Sequence, residues 1–380
     1  MIVSALMMRW ALVLVCAVAL VAPASAQQNA SARARPASSS EIMERVNENT
    51  VTIVSGTPAG TYLAVAYDMA AVLDKEDELR VLPIASRAGV ANVRDILYLR
   101  GVDMGIVQSD TLTLLKKTGQ FGPNIDKRLV YITKLYNEEM HVIAGPGIKT
   151  LQDLNGKKVN FSDVGSGTEQ TTRIVFDLLG IKAEKVSMGQ ADALVKIKSG
   201  EIAATVFIAG RPASAIAKLP KDQDYRILPV PYTPELEEAS YLPATLTSED
   251  YPNLIPDGEK VETIAVGAVL AVYNWPQNTD RYRRVANFVN ALFSKFAEFQ
   301  KPPRHPKWRE VNLAATLRGW ERFHAAQEWL DNAASQTASP VRINPTLARQ
   351  QAARAAPGDV AEQERLFRQF MQWVERQQNQ

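Results

Sequence analysis

The sequence predicts a two-lobed α/β fold with a helical C-terminal extension. Three observations lead there. Strand-type and helix-type segments alternate along residues 51–144 and again along 149–208. Two strand–turn–helix corners rich in Gly, Ser and Thr stand at 51–62 and 158–173. An apolar run at 261–273 is longer than a strand confined to one lobe needs to be. Alternation of this kind implies a mostly parallel sheet with helices on its faces.

At the N-terminus, Arg9 precedes an apolar run at 10–22, followed by Pro23-Ala24-Ser25-Ala26. That is the pattern of a cleaved secretory signal over residues 1–26, too short to span a bilayer comfortably, so the mature protein is expected in the periplasm. The single cysteine, Cys16, lies within this segment. Export therefore leaves no thiol, which excludes disulfides, cysteine nucleophiles and cysteine–metal sites. Residues 27–50 read as a flexible polar leader.

From there the chain predicts strands at 51–54, 80–84 and 104–108. Helices are expected at 62–73, 90–99 and 111–117. Two further strands, 129–135 and 141–144, flank a turn at Glu138-Glu139 that reads as solvated loop. A second set follows: a short helix near 149–156, strands at 159–161, 185–188 and 204–208, and helices at 169–179 and 190–199. Proline-rich loops occupy 229–256, and helices are expected at 279–300 and 310–332. If the run at 261–273 crosses between lobes, the first lobe is 51–144 plus 259–332 and the second is 145–258. Two crossing segments make a clamp that closes about a hinge.

The tail at 333–380 reads as a linker and then an amphipathic helix. Asp359 and Glu362 form a capping box. Gln363, Leu366, Phe367, Phe370, Met371 and Val374 share one face, with Trp373 at its edge. Docking on the protein's own body is the simpler expectation; contact with a partner is the alternative. The formal net charge of +2 falls to +1 once Arg9 is removed, and there is no basic stripe of the kind that binds nucleic acid.

Each Gly/Thr/Ser corner places unpaired backbone N–H groups and hydroxyls under the positive end of a helix. Gly56, Thr57, Gly60, Thr61 and Tyr62 form one candidate cradle; Ser166, Gly167 and Thr168, with Glu169 beside them, form the other. An ordinary helix cap is the competing reading for both. No Lys-Ser/Thr follows the second set, so a nucleotide P-loop is not supported. Gln108 and Ser109 stand at the carboxyl end of the third strand, where open α/β sheets bind ligands. Asp110 reads better as a helix cap than as a partner for a ligand ammonium. Arg87 and Arg211 are candidates for holding a carboxylate, whereas Arg173 reads as solvated or interlobe. His141, His305 and His324 show no metal-ligand spacing. No Gly-x-Ser-x-Gly elbow or carboxylate pair supports an enzyme.

Several stretches together resemble the TAXI-type solute receptors of TRAP transporters. They are Gly56-Thr57-Pro58-Ala59-Gly60-Thr61-Tyr62, Asp103-Met104-Gly105-Ile106-Val107-Gln108-Ser109-Asp110, residues 151–159, Gly165-Ser166-Gly167-Thr168, Ile208-Ala209-Gly210-Arg211-Pro212 and residues 320–330. The resemblance covers 51–332 and leaves the tail outside. It implies a two-lobed periplasmic-binding-protein clamshell of type II-like architecture. It also implies delivery of a small organic, often acidic, solute to TRAP membrane permease subunits. From the residues, no catalysis, cofactor or metal is expected. Ala85-Ser86-Arg87-Ala88-Gly89 departs from the family's Gly-pair turn and puts its usual ligand in question. A receptor presenting its ligand to a sensor kinase is the alternative.

Overall fold

The computed structural model describes residues 38–75, 78–221, 225–337, 345–357 and 359–378. The expected signal segment lies outside the described residues. In chain order the first elements are α1 (Ser39–Glu48), β1 (Thr50–Val54), α2 (Thr61–Leu73), β2 (Arg80–Ile84), α3 (Gly89–Tyr98), β3 (Met104–Gln108), α4 (Ser109–Thr118), α5 (Ile125–Arg128) and β4 (Leu129–Ala144). Next come β5 (Lys158–Asn160), α6 (Gly167–Leu178), β6 (Glu184–Val186), α7 (Gln190–Lys198), β7 (Ala204–Ala209), α8 (Ser214–Ala217), β8 (Arg226–Leu228), α9 (Pro234–Glu238) and β9 (Leu242–Thr247). The last are β10 (Lys260–Tyr273), α10 (Asp280–Ser294), α11 (Phe296–Phe299), α12 (His324–Thr337), α13 (Pro345–Ala355) and α14 (Val360–Gln378).

The strands form one sheet in the order β2-β1-β3-β10-β4-β7-β5-β6, with β8 added on β4 and β9 on β10. β2, β1 and β3 are mutually parallel, and so are β7, β5 and β6. These two parallel triplets occupy the two ends of the sheet. They are joined through β10 and β4, which pair antiparallel with each other. β10 lies against β3 from Ala268 onward and against β9 up to Ala265. β4 lies against β10 up to Glu139, then against β7. Each long strand thus pairs toward both ends of the sheet.

Side chains on one face of β10 show where the halves meet. Ile264 and Val266 belong to the core of the second half with Val159, Val206, Val175 and Phe176. Ala268, Leu270 and Val272 belong to the core of the first with Ile53, Met69, Ile106 and Phe288. The seam between the two cores falls between Val266 and Ala268.

Several expectations are corrected. The turn at Glu138-Glu139 does not exist: β4 runs unbroken for 16 residues and both glutamates are buried. The segment 129–144 contains no Gly or Pro to break it, and both carboxylates have protein donors. The expected helix at 310–332 begins only at His324. Before it the chain runs alongside β4, where Tyr131 N donates to Glu321 O and Phe323 N to Tyr131 O. The loop region at 229–256 contains α9 and β9. The leader is helical over Ser39–Glu48, closed by a reciprocal cap in which Ser38 N donates to Glu41 Oε2 and Glu41 N to Ser38 Oγ.

In the tail, the segment read as linker supplies α13, which packs against α14. The Arg349 guanidinium lies 4.6 Å from the Phe367 ring centroid. The Asp359 cap is present, accepting from Glu362 N at 3.0 Å. The side chains of Trp373 and Val374 lie outside those described. Among the described residues no helix is long and apolar enough to cross a membrane.

Candidate functional site

The strand ends of both halves converge on the seam. On the first half, buried Asn92 of α3 ties them together. Its Nδ2 donates to Ser55 O at 2.7 Å and to Ile106 O at 2.8 Å, while its Oδ1 accepts from Ser86 Oγ at 2.5 Å. Amide and hydroxyl together fix the loops that leave β1, β2 and β3. Gly56 packs on Tyr62, whose Cβ would lie 3.1 Å from any Cβ placed there. Half-buried Thr57 closes the turn by accepting Gly60 N at 3.1 Å.

From this cradle, Thr61 Oγ1 donates to Gly210 O at 2.9 Å, just beyond β7 of the second half. On the second half, Thr168 Oγ1 accepts from Ile208 N at 3.3 Å. Both cradles therefore border the same end of β7. Ser166 is the N-cap of α6, accepting Glu169 N at 3.1 Å, so its hydroxyl has the structural role weighed above. Glu169 also accepts Gly165 N and pairs with Lys185.

The corners meet closely. A Cβ on Gly167 would lie 2.0 Å from Gln108 Oε1, and one on Gly89 would lie 2.6 Å from Gly167 N. Ser109 opens α4 beside Gly267 of β10. Asp110 is not the cap: Gln108 holds that position, without a side-chain bond. Asp110 instead sits in the first turn, accepts Thr111 N at 2.6 Å and spans the seam. Its Oδ2 accepts from Thr171 Oγ1 at 2.7 Å and Tyr241 OH at 2.9 Å, both of the second half. Burial holds its carboxyl above the usual range despite those bonds. Arg87 is exposed in the turn after β2.

Three important groups have no place in the sequence-based expectations of the site. Buried Glu138 accepts from Tyr62 OH at 2.5 Å. Tyr136 is buried near it, and its hydroxyl has no hydrogen-bond partner. Lys307, 1% exposed, binds Glu139 at 2.6 Å and Glu310 at 2.7 Å. Arg211 closes the same cluster: its backbone N donates to Glu139 Oε2 at 2.9 Å, and its guanidinium lies 3.6 Å from Glu310 and 3.8 Å from Asp250. The signal for Glu138 and Tyr136 was the unbroken run at 129–144. Lys307 offered none, because its partner is 168 residues away.

His141 sits below this cluster as a neutral imidazole. Nδ1 faces Phe207 O at 3.2 Å, so it carries the proton, and Nε2 accepts from Tyr251 OH at 2.8 Å. Burial lowers its pKa to about 4. Between the ordinary value of 6.5 and about 4 the unfolded chain binds a proton that the native state refuses, so this residue's contribution to stability falls on acidification. A urea-unfolding series against His141→Asn should show the wild type losing up to ~3 kcal/mol more across that window.

No described group of His, Cys, Asp and Glu has the arrangement of a metal site. Surface depressions lie beside Trp275, Arg322 and His324 and beside Leu151, Pro229 and Tyr232. At the seam the halves touch directly, through Thr61 with Gly210 and through Asp110 with Thr171 and Tyr241.

A family model described as the NMT1-like family matches residues 53–320. Among solved structures, a periplasmic transporter aligns at 12% identity over 76% of this chain and 93% of its own, with a TM-score of 0.45. The alkanesulfonate-binding protein SsuA from Xanthomonas axonopodis pv. citri, bound to MOPS, aligns at 14% identity over 78% of this chain and 96% of its own, TM-score 0.42. The amino acid ABC transporter substrate-binding protein AbpA from Streptococcus pneumoniae, bound to L-arginine, aligns at 15% identity over 67% and 92%, TM-score 0.36. At these TM-scores the likenesses assign nothing to this chain.

Proposed function

Because the chain belongs to the NMT1-like family and its two halves meet at opposed strand ends, we propose that it is a solute receptor that closes on a small organic ligand. The observation that carries this reading is the convergence of Thr61 on Gly210, of Thr168 on Ile208 and of Gly167 on Gln108, with Gln108 Oε1 and Tyr136 OH left buried and unpaired. Polar atoms withheld from both solvent and protein partners suit a ligand that brings its own. Gly56, Thr57, Gly60, Thr61, Tyr62, Gln108, Ser109, Ser166, Gly167 and Thr168 line the proposed site.

The TAXI resemblance extends this to an acidic solute in the periplasm, delivered to a TRAP-type permease. Backbone N–H groups at the starts of α2 and α6 would meet a carboxylate. Arg87 would act from the rim, and Arg211 would act while held among carboxylates. No covalent step is required.

Hydrogen exchange tests the receptor reading. Small molecules extracted from the cells that make the protein should slow exchange at the first turns of α2 and α6 together. Protection of one without the other contradicts it. For the rim arginine, titration of glutarate against wild type and Arg87→Ala should give affinities within about twofold, since the side chain is exposed. A tenfold loss, about 1.4 kcal/mol, would bring Arg87 into the site.

A further inference from the structure

Among the described residues, two carboxylates at the seam, Glu138 and Asp110, have no ion-pair partner. Glu138 pairs with Val266 across the sheet, and Gln108 pairs with Ala268. Paired residues present their side chains to the same face, so Glu138 and Gln108 flank the junction of the two cores. The register between β4 and β10 slips between Gly267 and Val269, which face Asn137 and Lys134. Such an irregularity re-aims side chains. Here Leu135 and Tyr136 both reach the first core.

Glu138 is 2% exposed and takes one hydrogen bond, from neutral Tyr62. No ion pair reaches it among the described residues. The ammonium of Lys307 is engaged by Glu139 and Glu310. Asp110, across the seam, is likewise bonded only to neutral donors: Thr111 N, Thr171 Oγ1 and Tyr241 OH. Those three donors engage both oxygens of Asp110, whereas the Tyr62 hydroxyl engages only Oε2 of Glu138.

A second feature points to the same spot. Tyr136, 2% exposed, has a hydroxyl with no partner. Its ring backs onto the Gly210 turn, where a Cβ would meet Tyr136 Cε2 at 3.0 Å and Thr61 Cγ2 at 3.2 Å. The unpaired hydroxyl and the carboxylate stand two residues apart on one strand, beside the Tyr62 hydroxyl.

We propose that Glu138 and the Tyr136 hydroxyl form a subsite for a protonated nitrogen of the solute, an ammonium or amidinium. This rests on the receptor reading above and names the charge one end of the ligand must carry. A buried carboxylate without a counter-ion is costly unless a cation arrives with the ligand. Burial, with the nearby charges of Asp110 and Glu139, pushes the Glu138 carboxyl well above the usual range, while Lys307 opposes them. An entering ammonium restores the charged form and releases a proton. A solute with carboxylates at every end would place like charges together.

Titration calorimetry tests the subsite with 5-aminopentanoate, L-lysine and cadaverine against pentanoate and glutarate. The nitrogen-bearing probes should bind at least tenfold more tightly. Glu138→Gln should remove that margin by weakening the nitrogen-bearing probes. Tyr136→Phe deletes a hydroxyl that no protein group uses, so its fold is retained, and it should weaken amine binding by about threefold. Calorimetry in two buffers of different ionisation enthalpy should show proton release on amine binding. The subsite is overturned if the nitrogen-free probes bind as tightly, if no amine binds, or if Glu138→Gln keeps the preference. Hydrogen exchange separates the two failures. If the amine preference is missing and glutarate still protects both first turns, the receptor stands and the subsite falls. If no compound of either set protects them, both fall.

Discussion

Replacing Lys307 with Met is expected to destabilise the protein by about 3–5 kcal/mol, measured as a shift in the urea midpoint at unchanged slope. Lys307 and Glu139 are almost wholly excluded from water, and their contact is 2.6 Å. Removing the ammonium leaves Glu139 buried with the Arg211 backbone N–H at 2.9 Å and the side-chain Nε at 3.6 Å. That partial compensation places the effect toward the lower end. The double variant Lys307→Met with Glu139→Gln should recover at least half of the loss, because the cost lies in an uncompensated charge and not in a missing contact. The cluster joins β4, the turn after β7 and the 3-10 turn at Pro306–Glu310. A loss below about 1 kcal/mol would mean that Glu139 is already neutral in the native state.

The second large effect belongs to Gly89. Its φ of +57° is one that L side chains avoid, and a Cβ there would press on Gly167 N at 2.6 Å and Gly167 Cα at 2.8 Å. Backbone cannot swing aside as a side-chain tip does. Gly89→Ala should therefore hold the halves apart and weaken solute binding by at least about tenfold. Gly101 supplies the control: φ is +90° with nothing within 4 Å. Gly101→Ala should carry backbone strain without the clash, lowering stability while leaving affinity unchanged. Equal affinities for the two variants would mean that the α3 turn does not close on α6.

Local signals gave most of the parallel architecture. β2 and β3 fall where their β-branched runs end, and α6 starts within two residues of expectation. The glycine corners were legible because Gly, Ser and Thr cluster there between a strand and a helix. What stayed hidden depends on distant partners. Glu138 and Glu139 look like a solvated turn until Tyr62, 76 residues earlier, and Lys307, 168 residues later, arrive to bond them. Asp110 looks like a cap because Tyr241, 131 residues away, leaves no local trace. The expected helix at 310–332 fails in its first half because Tyr131 recruits Glu321 and Phe323 into backbone pairing, and tertiary pairing overrides helical pattern. Arg87 follows the second strand beside the cradles, and the fold leaves its side chain exposed.

The central claim is that the corners of the two halves shut on a solute. A distance across them tests it most directly. Spin labels on Tyr67→Cys of α2 and Val195→Cys of α7 sit at exposed positions, 59% and 68% accessible, one in each half. Pulsed dipolar spectroscopy should show a broad, longer distribution without solute. Adding the small-molecule extract of the cells that make the protein should collapse it to one shorter distance, and Gly89→Ala should prevent that collapse. A single unchanged distance in wild type, with and without a bound solute, would contradict closure.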